Sequence, residues 1–153
     1  MILSVHLLAG AALASKIQIV PLALLLAFLS HYLLDFFPHD EYSIERIKKR
    51  NWSKSFFDFL KIGTDIFFGL VIIFVLTRNK ELIIYLAAFF AILPDLFTFL
   101  EIVFFEKARF FSWHSQLHKK IHLPPEDKNK FSPFLRAFFQ LIIVCFIVFL
   151  LVF

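Results

Sequence analysis

The sequence predicts an all-α membrane protein in which four to five transmembrane helices form one bundle. The first observation is composition: 60% of the residues are hydrophobic, with 24 phenylalanines and only 3 glycines, whereas soluble domains are about 45–50% apolar. The second is distribution, because the apolar residues fall in five long blocks separated by polar stretches. A chain of 153 residues is one unit on the usual scale of domains. We therefore expect a single integral-membrane helical domain over residues 1–153.

The five apolar blocks set the predicted helices. A helix that crosses the hydrocarbon core needs about 20 residues, so the first block is short for a span and is expected to be a thin or tilted helix. Pro38 ends the second helix, because proline cannot donate the helical hydrogen bond and disfavours helix in the residue before it. Pro94 is expected to kink the fourth helix. The predicted helices are residues 2–14, 17–37, 56–77, 82–105 and 133–153, and the long loops are residues 38–55 and 106–132.

Lysine and arginine are concentrated in the two long loops, which lie on the same side of the membrane if every block spans it. By the positive-inside rule that side is the cytoplasm, with the N-terminus inside and the C-terminus outside. The formal net charge is +4. Because the basic residues adjoin apolar blocks, we assign this charge to contact with lipid headgroups. The expected partner is therefore the lipid bilayer and not nucleic acid.

Two pairs of short segments indicate a two-helix internal repeat. Residues 6–10 resemble residues 65–69, since each segment has a histidine or aspartate, three apolar residues and a glycine. Residues 27–31 resemble residues 91–95, and these segments end in His31 and Asp95. Two copies of a helix pair would explain both matches, and so would chance similarity among helices rich in leucine and phenylalanine.

Ionisable residues lie inside or at the ends of the predicted helices, and His31 with Asp35 is the clearest pair. The two are four residues apart in one apolar block, so their side chains leave the same face of a helix. His114 and His118 have the same spacing in the second loop. A charge at membrane depth is costly, so such residues usually face a protein interior. In the predicted topology these residues can meet near the cytoplasmic side, and the predicted metal ligands are His6, His31, Asp35, Asp65, Asp95, His114 and His118.

Imidazole and carboxylate groups together are the ligands of zinc, and also of manganese or iron. A divalent cation lowers the pKa of a bound water toward about 7, which makes hydrolysis feasible at neutral pH. Glu101 and Asp35 are the candidate catalytic carboxylates, with Glu101 first as general base or as an orienting residue. The sequence has no phosphate-binding glycine loop, no nucleophile elbow and no cysteine pair, since Cys145 is its one cysteine.

The segment that begins at His6, the segment with His31, Asp35 and Pro38, and the Leu-Pro-Asp motif ending at Asp95 resemble a known family. This is the bacterial and archaeal family of membrane-bound metal-dependent hydrolases, some of whose members are LexA-regulated inner-membrane proteins. The resemblance implies a small helical bundle in the cytoplasmic membrane that hydrolyses a phosphoester or a lipid. It makes His6, His31, Asp35 and Asp95 the matching site positions.

Two other functions remain open from the sequence. The polar residues could hold helices together without catalysis, or they could pass metal ions or protons across the membrane. The segment with His114, His118 and His122 could be a basic amphipathic helix at the membrane surface instead of a source of ligands. The sequence sets neither the substrate nor the oligomeric state.

Overall fold

Every regular element in the described part of the chain is a helix, which confirms the all-α prediction. The structure is a computed structural model that describes residues 1–40, 42–77, 81–105, 108–121 and 131–153. A single 3-10 turn, Trp52–Lys54, follows the shortest helix. The helices are α1 (Leu3–Lys16), α2 (Val20–Phe36), α3 (Glu45–Lys48), α4 (Phe56–Leu76), α5 (Leu82–Val103), α6 (Arg109–Ile121) and α7 (Pro133–Val152).

Three helices, α4, α5 and α7, are long and apolar enough to cross a membrane. Helices α1 and α2 have 14 and 17 residues, which gives lengths of about 21 and 25 Å, shorter than a hydrocarbon core of about 30 Å. The prediction of four to five spans is therefore supported for three helices by length and composition. On α4 and α7, large apolar side chains such as Phe67, Val75, Phe138 and Phe149 are exposed, as expected of surfaces that face lipid.

Helix α1 lies at the centre of the bundle, where it packs against α2, α4, α5 and α7. Nine of its 14 residues are buried. A short apolar helix of this kind is typical of a buried core element, and the first block forms the core of the bundle. Gly10 makes the closest approach: a Cβ added there would overlap the carbonyl of Ala87 and lie 2.8 Å from Cβ of Ala91.

The long helices alternate in direction, so their ends gather at two poles. At one pole, which we call the site end, Arg50 donates to the carbonyl of Ile102 at 2.8 Å, and Arg136 donates to Asp40 at 2.7 Å. These contacts join the end of α5 to the loop before α4, and the start of α7 to the loop after α2. The opposite pole, the far end, has a cavity lined by the end of α1, the start of α2, the α4–α5 connection and the end of α7.

Candidate metal centre

Asp35 is the hub of a buried polar cluster at the site end. It lies in the last turn of α2, which Pro38 terminates, and its side chain is 1% exposed. Its Oδ2 atom lies 3.0 Å from Nε2 of His118 and 3.2 Å from Nε2 of His31. Its Oδ1 atom accepts a hydrogen bond from the Met1 amino group at 2.6 Å and lies 3.2 Å from Nε2 of His6. One carboxylate therefore faces nitrogen atoms on both of its oxygens.

The donors on the Oδ2 side have the spacing of a metal site. Nε2 of His31 and Nε2 of His118 are 3.0 Å apart, so with Asp35 Oδ2 they form a triangle with edges of 3.0–3.2 Å. Oδ1 of Asp95 lies 3.7 Å and 3.9 Å from the same two nitrogens. Ligands at about 2.0–2.1 Å from a tetrahedral ion are about 3.3 Å from one another. The four ligand atoms, all within 4.8 Å of each other, therefore surround a volume that one ion could fill.

His31 is held with its Nε2 atom toward this volume. Its Nδ1 lies 2.8 Å from the carbonyl oxygen of Ala91 on α5. A carbonyl can only accept, so Nδ1 carries the proton and Nε2 is the nitrogen available to a cation. Ala91 lies three residues before Pro94 in the same helix, and the amide donor that Pro94 lacks would otherwise bond to the neighbouring carbonyl of Phe90. A carbonyl that orients a metal-binding histidine is a common outer-shell partner.

His118 is oriented in the same way through a hydroxyl. The Thr98 hydroxyl donates to the carbonyl of Pro94 at 3.2 Å, and its oxygen lies 3.3 Å from Nδ1 of His118. Because the hydroxyl proton is already engaged, the oxygen accepts from Nδ1–H of His118. Nε2 of His118 therefore points toward the other three of the four ligand residues, which are His31, Asp35, Asp95 and His118 and which we call the four-residue group. Both histidines thus present the nitrogen that a cation requires.

The donor set fits a divalent cation. Two imidazole nitrogens and two carboxylate oxygens suit zinc, and also manganese or iron. His31, Asp35 and His118 are buried, whereas the side chain of Asp95 is 32% exposed. Asp95 therefore forms the open side of the centre, where water or a substrate could enter.

A cavity of about 400 Å³ adjoins this open side, and Asp95 and Thr98 are part of its wall. Most of the other lining residues are apolar, such as Ile66, Ile92 and Phe99. Its polar lining includes Ser43, Glu45 and Lys48, from α3 and the segment before it. The volume lies in the usual range for small-molecule sites, about 300–1,000 Å³.

The structure brings four of the seven predicted ligands together, namely His31, Asp35, Asp95 and His118. His6 contacts Asp35 from the other side. Asp65, on α4, is not in the group. Its Oδ2 accepts hydrogen bonds of 3.3 Å from the Ser4 amide of α1 and from the Tyr42 hydroxyl in the loop after α2.

His114 and Glu101 also lie outside the four-residue group. His114 shares a hydrogen bond of 2.9 Å with the Tyr32 hydroxyl through its Nε2. Glu101, the predicted general base, follows Asp95 on α5 by six residues, or about 9 Å of helix. His122 lies outside the described residues.

Burial lowers the pKa of the His114 imidazole below its ordinary value of 6.5, and the nearby His118 and His31 rings lower it further. The carboxylates of Asp95 and Glu101 oppose this shift. His114 is therefore held as a neutral imidazole against Tyr32 near neutral pH. It lies on α6, outside the candidate membrane spans.

Thr98 is a site residue that the sequence reasoning missed. Its only sequence signal is its position four residues after Pro94 on the same helix, which puts its hydroxyl in reach of the Pro94 carbonyl. His39 is fully buried in spite of its place in the loop after α2, with Nε2 3.9 Å from Asp35 Oδ1 and Nδ1 2.6 Å from the Phe37 carbonyl.

Helix α6 has one buried and one exposed side. His114, Ser115 and His118 form its buried side, whereas Phe110 and Trp113 are exposed. The helix is therefore amphipathic and also supplies a member of the four-residue group.

Comparison of the chain with protein-family models, with curated proteins and with solved structures found no match.

Proposed function

We propose that the protein is a membrane-bound, metal-dependent hydrolase whose centre consists of His31, Asp35, Asp95 and His118. The observation that carries this proposal is the triangle of His31 Nε2, His118 Nε2 and Asp35 Oδ2, with edges of 3.0–3.2 Å. Three donor atoms converge there, and both imidazole Nδ1 atoms are engaged elsewhere. A zinc ion is the best fit to two nitrogens and two oxygens, with manganese or iron as alternatives.

Each residue around the centre has its own proposed role in hydrolysis. A divalent cation held by His31, Asp35, Asp95 and His118 would supply a water of lowered pKa and would polarise the bond to be cleaved. His31 and His118 hold their positions through Ala91 and Thr98. Asp95 faces the cavity, so its carboxylate would bind the cation through Oδ1 and accept a proton through its other oxygen from an attacking water held as a fifth ligand. Asp35, which the sequence also offered as a catalytic residue, is already surrounded by nitrogen donors and serves better as a ligand.

A phosphoester with an apolar portion is the proposed substrate. The cavity beside Asp95 is mainly apolar, and Lys48, whose Nζ lies 3.8 Å from Oε1 of Glu45, adds a cationic group to its lining. An apolar chain would bury its surface there while the phosphate reached the cation, and Lys48 could pair with that phosphate. The resemblance to the family of membrane-bound metal-dependent hydrolases supports the same activity, as well as a place in the cytoplasmic membrane of a bacterium or archaeon with the site end facing the cytoplasm.

One observation favours a non-catalytic role in helix packing. The buried Asp35 already has the Met1 amino group at 2.6 Å and several histidines as partners, so its charge is compensated without an added cation. The two readings differ in stoichiometry: a packing cluster retains no metal, whereas a hydrolase centre binds at least one ion for each chain.

Transport of metal ions or protons is the third reading, and the far end argues against it. In the described part of the chain, the cavity at that pole includes only Lys16 and Glu81 as charged residues. The core between the poles is formed by alanine, leucine and isoleucine side chains such as Ala12, Ala88 and Ile84. A transport path requires polar groups through this region.

The test is metal content, measured by plasma mass spectrometry on protein purified in detergent, with phosphate release from phosphatidic acid in mixed micelles as the activity readout. Wild-type protein is expected to retain about one or more equivalents of zinc, manganese or iron and to release phosphate in a chelator-sensitive reaction. His118→Ala is expected to lose the ion and to reduce the rate at least about 100-fold, because it removes one ligand.

His114→Gln is the matched control, since this histidine lies one turn away on the same helix but outside the four-residue group. It is expected to keep the metal. Folded protein that holds no metal after incubation with each ion would overturn the hydrolase proposal in favour of helix packing. Equal metal loss in both variants would show that α6 docking, and not ligation by His118, is what the cation requires.

A further inference from the structure

The two oxygens of Asp35 face two different sets of nitrogen donors. His31 and His118 lie at Oδ2, whereas His6 lies at Oδ1 with Nε2 at a distance of 3.2 Å. We propose that a second divalent cation binds between His6 Nε2 and Asp35 Oδ1, so that Asp35 bridges two metal ions. This inference rests on the proposed function, because it takes the centre at Oδ2 as the first site.

His6 supplies the independent evidence for a ligand at this position. Its side chain is 0% exposed, and neither ring nitrogen makes a hydrogen bond within the described part of the chain, because the 3.2 Å approach of Nε2 to Asp35 Oδ1 lacks hydrogen-bond geometry. Buried polar atoms are nearly always paired, and one left unpaired is destabilising. The 3.2 Å between Nε2 and Oδ1 is a distance at which two ligands of one ion normally lie. A cation between the two atoms would provide the missing partner for Nε2.

The stacking of two imidazole rings sets the separation of the two ions. The rings of His6 and His31 have centroids 4.1 Å apart and planes inclined by 26°. Nε2 of each ring lies 3.2 Å from a different oxygen of Asp35. Ions bound nearly in the plane of each ring would therefore be about 4 Å apart, the separation of about 3.5–4 Å that is usual in two-metal hydrolytic sites.

Further donors lie beside the second position. Nε2 of His39 is 3.9 Å from Asp35 Oδ1, and its Nδ1 is 2.6 Å from the Phe37 carbonyl, so the ring is oriented as in His31. The Met1 amino group donates to the same oxygen at 2.6 Å. A cation at the second position would therefore compete with this amino group for Oδ1. With fewer carboxylate ligands than the first site, the second is expected to bind more weakly.

Two such ions would suit phosphoester hydrolysis. In two-metal sites the ions together stabilise the attacking and the leaving oxygen of a displacement at phosphorus. The bridging carboxylate of Asp35 would fix their separation, while Asp95 and the cavity lie on the side of the first ion. The second ion would thus make His6, which is outside the four-residue group, a metal ligand.

The test loads the detergent-purified protein with Mn²⁺ and measures both stoichiometry and the electron paramagnetic resonance spectrum. Wild-type protein is expected to bind two equivalents per chain and to give the exchange-coupled spectrum of a carboxylate-bridged pair. His6→Ala is expected to retain one equivalent with an uncoupled spectrum. His39→Ala is expected to weaken only the second equivalent, by about 10-fold, and Asp35→Asn to weaken both.

The wild-type spectrum does not depend on whether the His6 variant folds. One equivalent with an uncoupled spectrum in wild type would overturn the second site and leave the hydrolase proposal intact. Two equivalents that survive His6→Ala unchanged would also overturn it, because the second ion would then be elsewhere. No bound manganese, zinc or iron at all would overturn both proposals.

Discussion

Nδ1 of His31 on α2 lies 2.8 Å from the carbonyl oxygen of Ala91 on α5, which fixes the proton of this imidazole on Nδ1. The helix contact that builds the bundle thus also prepares Nε2 for a cation. In protein loaded with ¹¹³Cd and ¹⁵N-histidine, we predict that His31 keeps its Nδ1 proton and that Nε2 couples to cadmium. Coupling through Nδ1 in the NMR spectrum would contradict the geometry, because the Ala91 contact would then have to break.

The Thr98 hydroxyl holds His118 from the side away from the centre, with Nδ1 3.3 Å from its oxygen. Thr98→Val keeps the shape of the side chain but removes this acceptor. We predict a loss of metal affinity of about 10–100-fold, the usual effect of removing an outer-shell partner, measured by competition with a fluorescent chelator.

Thr64→Val is the matched control for this experiment. Among the described residues, the Thr64 hydroxyl bonds only to carbonyls of its own helix, Leu60 at 2.8 Å and Lys61 at 3.0 Å, in an exposed part of α4. We expect an unchanged metal affinity in this variant. An equal loss in both threonine variants would mean that general destabilisation, and not the orientation of His118, is responsible.

His114 gives the unfolding equilibrium a defined pH dependence. Its pKa is lowered in the folded protein, chiefly by burial, from an ordinary value of 6.5. Between the folded and unfolded pKa values the unfolded chain binds more protons, so the free energy of unfolding rises with pH in that window. The stability is present above about pH 6.5 and is lost as the pH falls below it.

His114→Gln should therefore lose less stability than wild type when the pH is lowered from 7.5 to 5.5. Glutamine can still bond to Tyr32, whose hydroxyl is 2.9 Å from Nε2 of His114. The measurement is thermal unfolding of both proteins in detergent with chelator present, which keeps metal binding out of the comparison. Parallel pH curves for the two proteins would contradict the assignment.

The helices could be predicted because local chemistry sets them. Apolar runs long enough to form membrane helices, ended by prolines or polar stretches, correspond to α4, α5 and α7 in the structure. The central position of α1 could not be read in the same way. It depends on Gly10 and on alanines of α5 that allow a close approach, and such complementarity exists only between helices.

The sequence predicts the residue types that form the candidate site, but it does not predict which individual residues belong to the site. Asp65 and Asp95 each lie in an apolar helix, and only the rotation of these helices sends Asp95 to the histidines and Asp65 to Tyr42. Of His114 and His118, which both lie on α6, the docking of this helix selects His118. Sequence spacing specifies one face of a helix, and the neighbour that covers that face is determined by packing.

The two tryptophans allow a test of where α6 lies relative to the membrane. Trp113 is 61% exposed on α6, opposite the buried His114 and His118, and Trp52 is exposed in the loop before α4. In a Trp52→Phe variant reconstituted in vesicles, Trp113 alone reports on its surroundings. We predict strong fluorescence quenching by lipids brominated near the carbonyl region and weaker quenching by lipids brominated deep in the chains, as expected for an interfacial helix.

Gly10 and Gly63 provide a matched test of the packing that positions the site. Gly10→Ala would push a methyl group against the Ala87 carbonyl and to 2.8 Å from Cβ of Ala91, whereas no atom of the described residues lies within 4 Å of a Cβ added at Gly63. Overpacking costs about 1–3 kcal/mol, which for a chain of this size lowers the melting temperature by roughly 3–10 °C. Gly63→Ala should change it little or raise it, because alanine favours helix. Because Ala91 also orients His31, Gly10→Ala should weaken metal binding as well, and a variant as stable and as metal-competent as wild type would show that α1 and α5 do not pack this closely.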